Sequence, residues 1–88
     1  MGQKEFEEAV SRVKTLPKTP PPKVLLDLYA LFKQATEGDA KGARPGMLDI
    51  KGRAKFDAWS MRKGMAREQA MDAYVQLVQK LLAEHGMS

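Results

Sequence analysis

Apolar residues recur at three- and four-residue steps along most of this chain, which is the spacing of an amphipathic helix. A first helix is predicted over residues 4–15, and its spaced apolar positions are Phe6, Ala9, Val10, Val13 and Leu16. Leu16-Pro17 and the triple proline at 20–22 end this helix, because proline lacks the N–H donor that a helix interior needs. The same prolines suit the first turn of a following helix.

The next three helices are predicted from the same periodicity. A second helix is expected over residues 22–36, with Gly38 as its stop, and a third over residues 52–63, ending at Gly64. The fourth helix precedes Gly86 and has the longest apolar stripe: Ala66, Ala70, Met71, Tyr74, Leu77, Val78, Leu81 and Leu82. Because no strand-like alternation competes with these patterns, we expect an all-α, four-helix fold.

The segment between the second and third helices, residues 37–51, is a long glycine-rich loop. Arg44-Pro45-Gly46-Met47 suits a type II turn, which takes proline second and glycine third. A loop of this length in so small a domain is usually functional or disordered. The apolar pair Met47-Leu48 favours an ordered loop that packs against the helices.

The second helix has two distinct faces. One face is apolar and is predicted to belong to the core: Val24, Leu25, Leu28, Leu31 and Ala35, with Phe32 at its edge. Another face gathers Leu26, Tyr29 and Lys33, so it grades from apolar through aromatic to cationic. This strip alone also fits an ordinary surface, with Leu26 at the core edge and Lys33 solvated.

Two lysines near the start of the third helix are placed unfavourably for stability alone. Lys51 and Lys55 are four residues apart, where like charges repel, and cations near a helix N-terminus oppose its dipole. Asp49 offsets part of this cost as a helix cap. An anion held between the two ammonium groups would make the arrangement favourable, so the pair indicates an anionic ligand.

Four other positions offer a cation or an aromatic ring of the same kind. Lys14 follows Val10 by one helical turn and again sets a cation beside an apolar residue. Phe56 and Trp59 are three apart and are expected in the core or in a groove wall. Tyr74 lies in the apolar stripe of the fourth helix, so we expect it to pack in the core with a hydroxyl that needs a partner.

Composition narrows the function classes. The chain has 88 residues, no cysteine, and 15 Lys and Arg against 11 Asp and Glu, for a net charge of +4. This balance fits an anionic partner and also fits a solvated surface with a modest surplus. Without cysteine, disulfides and thiolate chemistry are excluded. We expect one domain over residues 1–88, held by packing alone.

Catalysis and membrane insertion find no support in the sequence. His85 is the only histidine and no metal-ligand spacing or phosphate-loop motif is present, so we expect neither an enzyme nor a metal or cofactor. No apolar run approaches the roughly 18 residues that a membrane span requires, and the N-terminus lacks a signal-peptide core. We therefore expect a soluble cytoplasmic protein without stable membrane insertion.

Two long stretches, LYALFKQATEGD at 28–39 and RPGMLDIKGRAKFDAW at 44–59, closely resemble the acyl-CoA-binding protein family, also called the diazepam-binding-inhibitor family. Lys63-Gly64, Ala70-Met71 and Tyr74 extend the match over nearly the whole chain. The resemblance implies an up-down-down-up four-helix bundle. It also implies a non-catalytic, monomeric intracellular carrier of medium- to long-chain acyl-CoA esters, with transient contacts to the enzymes that use them.

The same resemblance implies a role for each candidate residue. Tyr29, Lys33 and Lys55 would hold the 3′-phosphate of the ribose. The adenine would lie among Phe32, Lys33 and Tyr74, with Val10 and Lys14 at its edge. The remaining contacts would come from Lys51, near the phosphates and pantetheine, and from Leu26, on the acyl path. Phe32 and Phe56 depart from the tyrosine and tryptophan common in the family, and the triple proline is unusual.

Two alternatives come from the basic charge and the exposed strip of the second helix. One is a nucleic-acid-binding helical domain, although the lysines are spread over several helices and no known nucleic-acid-binding motif is visible. The other is a helical module that docks a protein partner through that strip.

Overall fold

The computed structural model describes residues 2–84, and it has four α-helices there: α1 (Gln3–Val13), α2 (Pro22–Glu37), α3 (Ile50–Ser60) and α4 (Arg67–Glu84). Within that part of the chain no strand occurs, so the all-α, four-helix prediction is confirmed. Helix α2 packs against both α3 and α4, and α1 packs against α4. His85 and Gly86, the predicted stop of α4, lie outside the described residues.

Local chemistry fixes the helix ends. The N–H of Gly2 donates to Oε2 of Glu5 at 3.1 Å, and hydrogen bonds from the backbone N–H groups of Glu5 and Gly2 lower the pKa of this carboxylate. Helix α2 begins at Pro22 and ends at Gly38, whose φ of +82° favours glycine. Helix α3 is capped by the predicted Asp49, which accepts from the N–H of Gly52 at 3.0 Å.

Helix α3 begins two residues before its predicted start and ends three residues before its predicted end. The Asp49 cap explains the early start, because it satisfies the first N–H groups of the helix. A turn over residues 61–64 follows the helix and closes at Gly64, with φ of +91°.

The core lies between α1, α2 and α4. Its buried members are Phe6, Ala9, Leu28, Leu31, Ala35, Ala70, Tyr74, Val75, Val78, Leu81 and Leu82. The ring centroid of Phe6 lies 5.9 Å from that of Phe32 and 5.2 Å from that of Tyr74. Aromatic side chains from α1, α2 and α4 therefore pack against one another in the core. The predicted core faces of α2 and α4 are thus largely confirmed.

Two predictions about packing and one about a turn were wrong. Leu25 was assigned to the core, but 41% of its surface is exposed, because α3 and the end of α1 leave a groove on its side of α2. Met47 and Leu48 were expected to pack on the helices and are instead 83% and 99% exposed. The turn was misplaced too. Gly46 lacks the positive φ that a type II turn needs, and the chain turns where the N–H of Asp49 donates to the carbonyl of Gly46 at 3.0 Å.

A hydrogen-bonded clamp joins the end of α2 to the turn before α4. Gln34 is completely buried, and its Nε2 donates to Oδ1 of Asp39 and to the carbonyl of Met65, both at 2.8 Å. The N–H of Gly64 donates to the same Asp39 oxygen at 2.8 Å. The hydrogen bonds that Asp39 accepts lower the pKa of its carboxyl group, and the bond from the Gly64 N–H contributes more than the bond from Gln34. Nε1 of Trp59 donates to the carbonyl of Gly38 at 2.8 Å, which adds α3 to the clamp.

Candidate functional site

Two grooves run along opposite sides of one face of α2. The α1–α2 groove has a volume of about 420 Å³ and is lined by Val13, Lys14, Leu16, Lys18, Thr19, Pro20, Leu25, Leu28, Tyr29, Phe32 and Tyr74. The α2–α3 groove has a volume of about 440 Å³ and is lined by Pro22, Leu25, Leu26, Tyr29, Ile50, Lys51, Ala54 and Lys55. Because Leu25 and Tyr29 line both grooves, the two adjoin along α2.

The α2–α3 groove combines cations with apolar walls. Lys51 and Lys55 line it together, as their spacing on one helix face predicts. The ammonium of Lys55 lies 5.5 Å from the ring centroid of Tyr29, within reach of a cation–π contact. Leu26 lines the same groove from α2. An anionic group placed between the two lysines would therefore lie next to an aromatic ring and an aliphatic wall.

The α1–α2 groove is more aromatic. Phe32 and Tyr74 line it beside Lys14, and their ring centroids are 6.4 Å apart. Burial raises the pKa of the Tyr74 phenol, so its hydroxyl keeps its proton at neutral pH and can donate a hydrogen bond. A flat ring with polar edges fits between such side chains, because aromatic faces and a nearby cation both attract a π-system.

Lys33 lies beside the grooves without lining either. Its ammonium pairs with Oε2 of Glu37, one helical turn away, and lies 4.9 Å from the centroid of the Trp59 ring. Only 22% of the Lys33 side chain is exposed, against 54% for Glu37. Glu37 and Trp59 together hold the Lys33 ammonium beside α3 and outside both grooves.

Val10 is the other candidate that the grooves do not include, because it packs against the core. The residues of this region that do line the α1–α2 groove are Val13 and Leu16. Seven of the nine candidate residues therefore line one or both grooves: Lys14, Leu26, Tyr29, Phe32, Lys51, Lys55 and Tyr74.

Sequence reasoning missed several groove residues. Leu25 shares the helical repeat of the core residues, so periodicity alone could not place it in a groove. Ile50 and Ala54 fall on the Lys51–Lys55 side of α3, and this shared spacing was the one available signal. Pro20 lines the α1–α2 groove and is buried, although the sequence was interpreted only as using it to end one helix and begin the next.

Among residues 2–84, no cluster of three or more His, Cys, Asp or Glu side chains is arranged to hold a metal ion. None of the helices in this part of the chain combines the length and the apolar character needed to cross a bilayer.

The geometry defines a class of protein. Two adjoining grooves offer lysines and aromatic rings to an anionic, flat head group, and aliphatic walls to an apolar tail. The pattern is that of a helical binding domain for an amphiphilic anion.

Comparison with known proteins places the chain within this class. The family model described as "Acyl CoA binding protein" matches residues 3–78. The acyl-CoA-binding protein homolog of Manduca sexta is 50% identical over 86 residues, which cover 97% of this chain and 96% of that protein. Acyl-CoA-binding protein homolog 1 of Caenorhabditis elegans is 51% identical over 81 residues, with 92% and 94% covered.

Solved structures agree with these matches. The crystal structure of Oryza sativa Acyl-CoA-Binding Protein 2 gives a TM-score of 0.92 at 44% identity, covering 96% of this chain and 93% of that one. The chain belongs to the acyl-CoA-binding protein family, and both the resemblance and the expected fold are confirmed.

Proposed function

We propose that this protein binds medium- to long-chain fatty acyl-CoA esters with high affinity and acts as an intracellular acyl-CoA carrier and pool former in lipid metabolism. The observation that carries the proposal is the pair of grooves that meet at Leu25 and Tyr29. A nucleotide thioester has the same division into a charged, aromatic head and an aliphatic tail. Family membership supports the same ligand.

The head group is held by charge and stacking. In this proposal, Tyr29, Lys33 and Lys55 bind the 3′-phosphate of the ribose, and Phe32, Lys33 and Tyr74 enclose the adenine. Contacts between ammonium groups and phosphate oxygens are strong when they are partly desolvated. The cation–π contact of Lys55 with Tyr29 supports this assignment, because it holds both groups at one point of the groove.

The other four candidates act around this centre. Lys14 contributes a cation at the edge of the adenine, and Val10 supports that edge from the core side. Lys51 lies near the phosphates and the pantetheine, and Leu26 lines the acyl path on the side of the α2–α3 groove. Burial of the acyl chain adds about 0.8 kcal/mol per methylene, so each sheltered methylene should tighten binding about four-fold.

The proposal extends to the domain organisation, oligomeric state, localisation and catalytic activity of the protein. The protein is a single acyl-CoA-binding domain over residues 1–88, works as a cytoplasmic monomer, and needs no cofactor or metal. It catalyses no reaction, and it meets the enzymes that use its ligand only transiently.

Calorimetry against free CoA and acyl-CoA esters of increasing chain length tests the proposal. We expect weak binding of CoA and an affinity that rises with chain length until the groove is filled. Equal affinity for all esters, or no binding of any, would contradict the proposed function.

Two variants test the head-group assignment. Lys33→Ala and Tyr29→Ala should weaken short and long esters by the same factor, because both residues contact the part that all esters share. Lys80→Ala is the matched control, since Lys80 lies on α4 in another i,i+4 pair with a glutamate, 4.0 Å from Glu84. Unchanged affinity in both test variants would refute the roles of Lys33 and Tyr29.

The alternatives of nucleic-acid binding and protein docking have a direct test. A protein that binds duplex DNA or RNA through its backbone loses affinity steeply as salt rises. We expect no such binding by this chain, and tight binding of palmitoyl-CoA by the isolated monomer would count against both alternatives.

A further inference from the structure

The turn before α3 and the first residue of that helix carry three exposed apolar residues within four positions. Met47, Leu48 and Ile50, named here the apolar tip, are 83%, 99% and 77% exposed. The turn that the Gly46–Asp49 hydrogen bond closes places Met47 and Leu48 at its apex. Single exposed apolar residues are common on protein surfaces, but three large ones together indicate a surface that another apolar phase covers.

The apolar tip is held in place. The guanidinium of Arg44 donates to both carboxylate oxygens of Asp57, at 2.8 and 2.6 Å, and so ties the loop to α3. The Arg44 hydrogen bonds also lower the pKa of Asp57, so the pair stays charged at neutral pH. Within the apolar tip, between Leu48 and Ile50, the side chain of Asp49 accepts from the N–H of Gly52 and caps the start of α3. The exposed side chains of the apolar tip therefore project from a segment that is tied to α3 by hydrogen bonds.

The apolar tip is continuous with the proposed ligand site. Ile50 belongs to the apolar tip and also lines the α2–α3 groove, opposite Leu25 and Leu26 of α2. Through Ile50, the apolar tip thus reaches the mouth of the groove. A fatty chain could follow these side chains from outside the protein to the site.

The charges around the apolar tip are mainly positive. Lys51, Arg53 and Lys55 follow it within the first two turns of α3, and Lys51 and Lys55 are exposed. Asp49 is the only acid over residues 45–56, and its carboxylate faces the N–H of Gly52. Exposed apolar side chains with flanking cations match the interface of an anionic bilayer, where the chains enter the acyl boundary and lysines meet the headgroups.

We propose that the apolar tip docks this protein reversibly on anionic phospholipid bilayers, with the mouth of the α2–α3 groove turned towards the lipid. A protein partner fits the surface less well, because energetically dominant protein contacts are enriched in Trp, Tyr and Arg, and the apolar tip contains none of these. Docking by itself does not depend on the proposed function. Direct loading of a ligand from the bilayer does rest on it.

Vesicle sedimentation of the ligand-free protein tests the docking. The vesicles are phosphatidylcholine alone, or phosphatidylcholine mixed with phosphatidylserine. We expect binding to the mixed vesicles that falls as salt is raised, because screening weakens the lysine contacts. The double variant Met47→Ser with Leu48→Ser should bind these vesicles roughly ten-fold more weakly, since two apolar side chains no longer enter the interface.

Met61→Ser is the matched control. Met61 is 84% exposed and lies just after the other end of α3, roughly 16 Å along the helix from the apolar tip. This variant should keep the vesicle binding of the wild type. Equal losses in both variants, equal binding to both kinds of vesicle, or no binding at all would each overturn the proposal. Because all three side chains are exposed, thermal unfolding should show that the variants fold as the wild type does.

A second measurement separates this inference from the proposed function. Calorimetry with soluble ester should give the double variant and the wild type the same affinity, while uptake of palmitoyl-CoA from loaded mixed vesicles should be slower in the variant. A wild type that binds no ester refutes the proposed function. A wild type that binds ester but takes it from vesicles at the rate of the double variant refutes loading through the apolar tip.

Discussion

Lys33 is shared between three groups. In the ligand-free protein its ammonium contacts Glu37 and lies over the Trp59 ring, and the proposed ligand phosphate is the third. Since a lysine ammonium has three donors but moves as one charge, contact with a phosphate must weaken the contact with Glu37. Glu37 therefore competes with the ligand for the cation and opposes its negative charge.

Replacing Glu37 should tighten ligand binding. We expect Glu37→Gln to bind acyl-CoA about 1.5 to 5 times more tightly, which corresponds to the roughly 0.2–1 kcal/mol of an exposed ion pair. The matched control is Glu84→Gln, which removes the same charge from the Lys80 pair on α4 and should leave affinity unchanged. Calorimetry measures both, and an unchanged or weaker Glu37→Gln would disprove the competition.

Asp39 makes stability depend on pH. Hydrogen bonds from the Gly64 N–H and Gln34 lower its pKa in the folded protein below the ordinary value of 3.8. A lowered carboxyl pKa stabilises the fold above the pKa of the unfolded chain, and this contribution is lost as the pH falls through the folded pKa. Wild type should therefore unfold at a higher temperature than Asp39→Asn above about pH 5, and the difference should close in more acidic solution. A difference that persists at acidic pH would show that the charge of Asp39 is not its source.

At the scale of the helix, residues of α2 that are about one turn apart differ in how far they are buried in the core and exposed in the grooves. Leu28 is buried in the core and only its edge lines the α1–α2 groove, whereas Leu25 is partly exposed and lines both grooves. We expect Leu28→Ala to lower the free energy of unfolding by about 2–4 kcal/mol, because it leaves a cavity. Leu25→Ala should cost less than about 1 kcal/mol, because its side chain is already partly in water.

Ligand binding should rank these two variants in the opposite order. Leu25→Ala should weaken long-chain esters more than short ones. Leu28→Ala should weaken binding less than Leu25→Ala does while the protein stays folded, because Leu28 lines only the α1–α2 groove and is 7% exposed, against 41% for Leu25. Denaturant titration and calorimetry on the same samples measure both quantities. If Leu25→Ala destabilises the fold as much as Leu28→Ala does, the groove position of Leu25 is wrong.

The sequence predicted α1, α2 and α4 well because each buries an apolar stripe, and periodicity records burial. It could not show which stripe residues a neighbouring helix leaves uncovered, so Leu25 was assigned to the core. It could not foresee that Gln34 would be fully buried, because its place in the clamp depends on Asp39 and Met65, which lie in separate loops. The exposure of Leu48 was missed for a similar reason, since apolar character does not reveal what covers a side chain.

The site was predictable where its residues lie on one helix. Lys51 and Lys55 share a groove wall as their spacing indicated, and Leu26 and Tyr29 share another. The pairing of Lys33 with Glu37 could be foreseen from the i,i+4 spacing but was not used. Leu25 and Tyr29 line both grooves because α1 and α3 lie on either side of α2. The sequence pattern of one helix cannot predict where its neighbours lie.

At the scale of the whole molecule, the grooves lie between helices, so a ligand that fills them should stabilise the fold. We expect palmitoyl-CoA at about 100 times its dissociation constant to add about 2.7 kcal/mol and to raise the unfolding temperature by about 10 °C or more. Free CoA at the same concentration should raise it much less, and duplex DNA should leave it unchanged. Thermal scans of one protein sample with each ligand make the comparison. A rise with DNA that matches the rise with palmitoyl-CoA would favour the nucleic-acid alternative.

The contact between Lys33 and Trp59 also has an optical consequence. The chain has a single tryptophan, which is buried and held by its bond to Gly38, with the Lys33 ammonium 4.9 Å from its ring centroid. A positive charge this close shifts the energies of the indole excited state. If the ligand phosphate draws the ammonium aside as proposed, the emission wavelength should change, and intrinsic fluorescence would then report occupancy without any added dye.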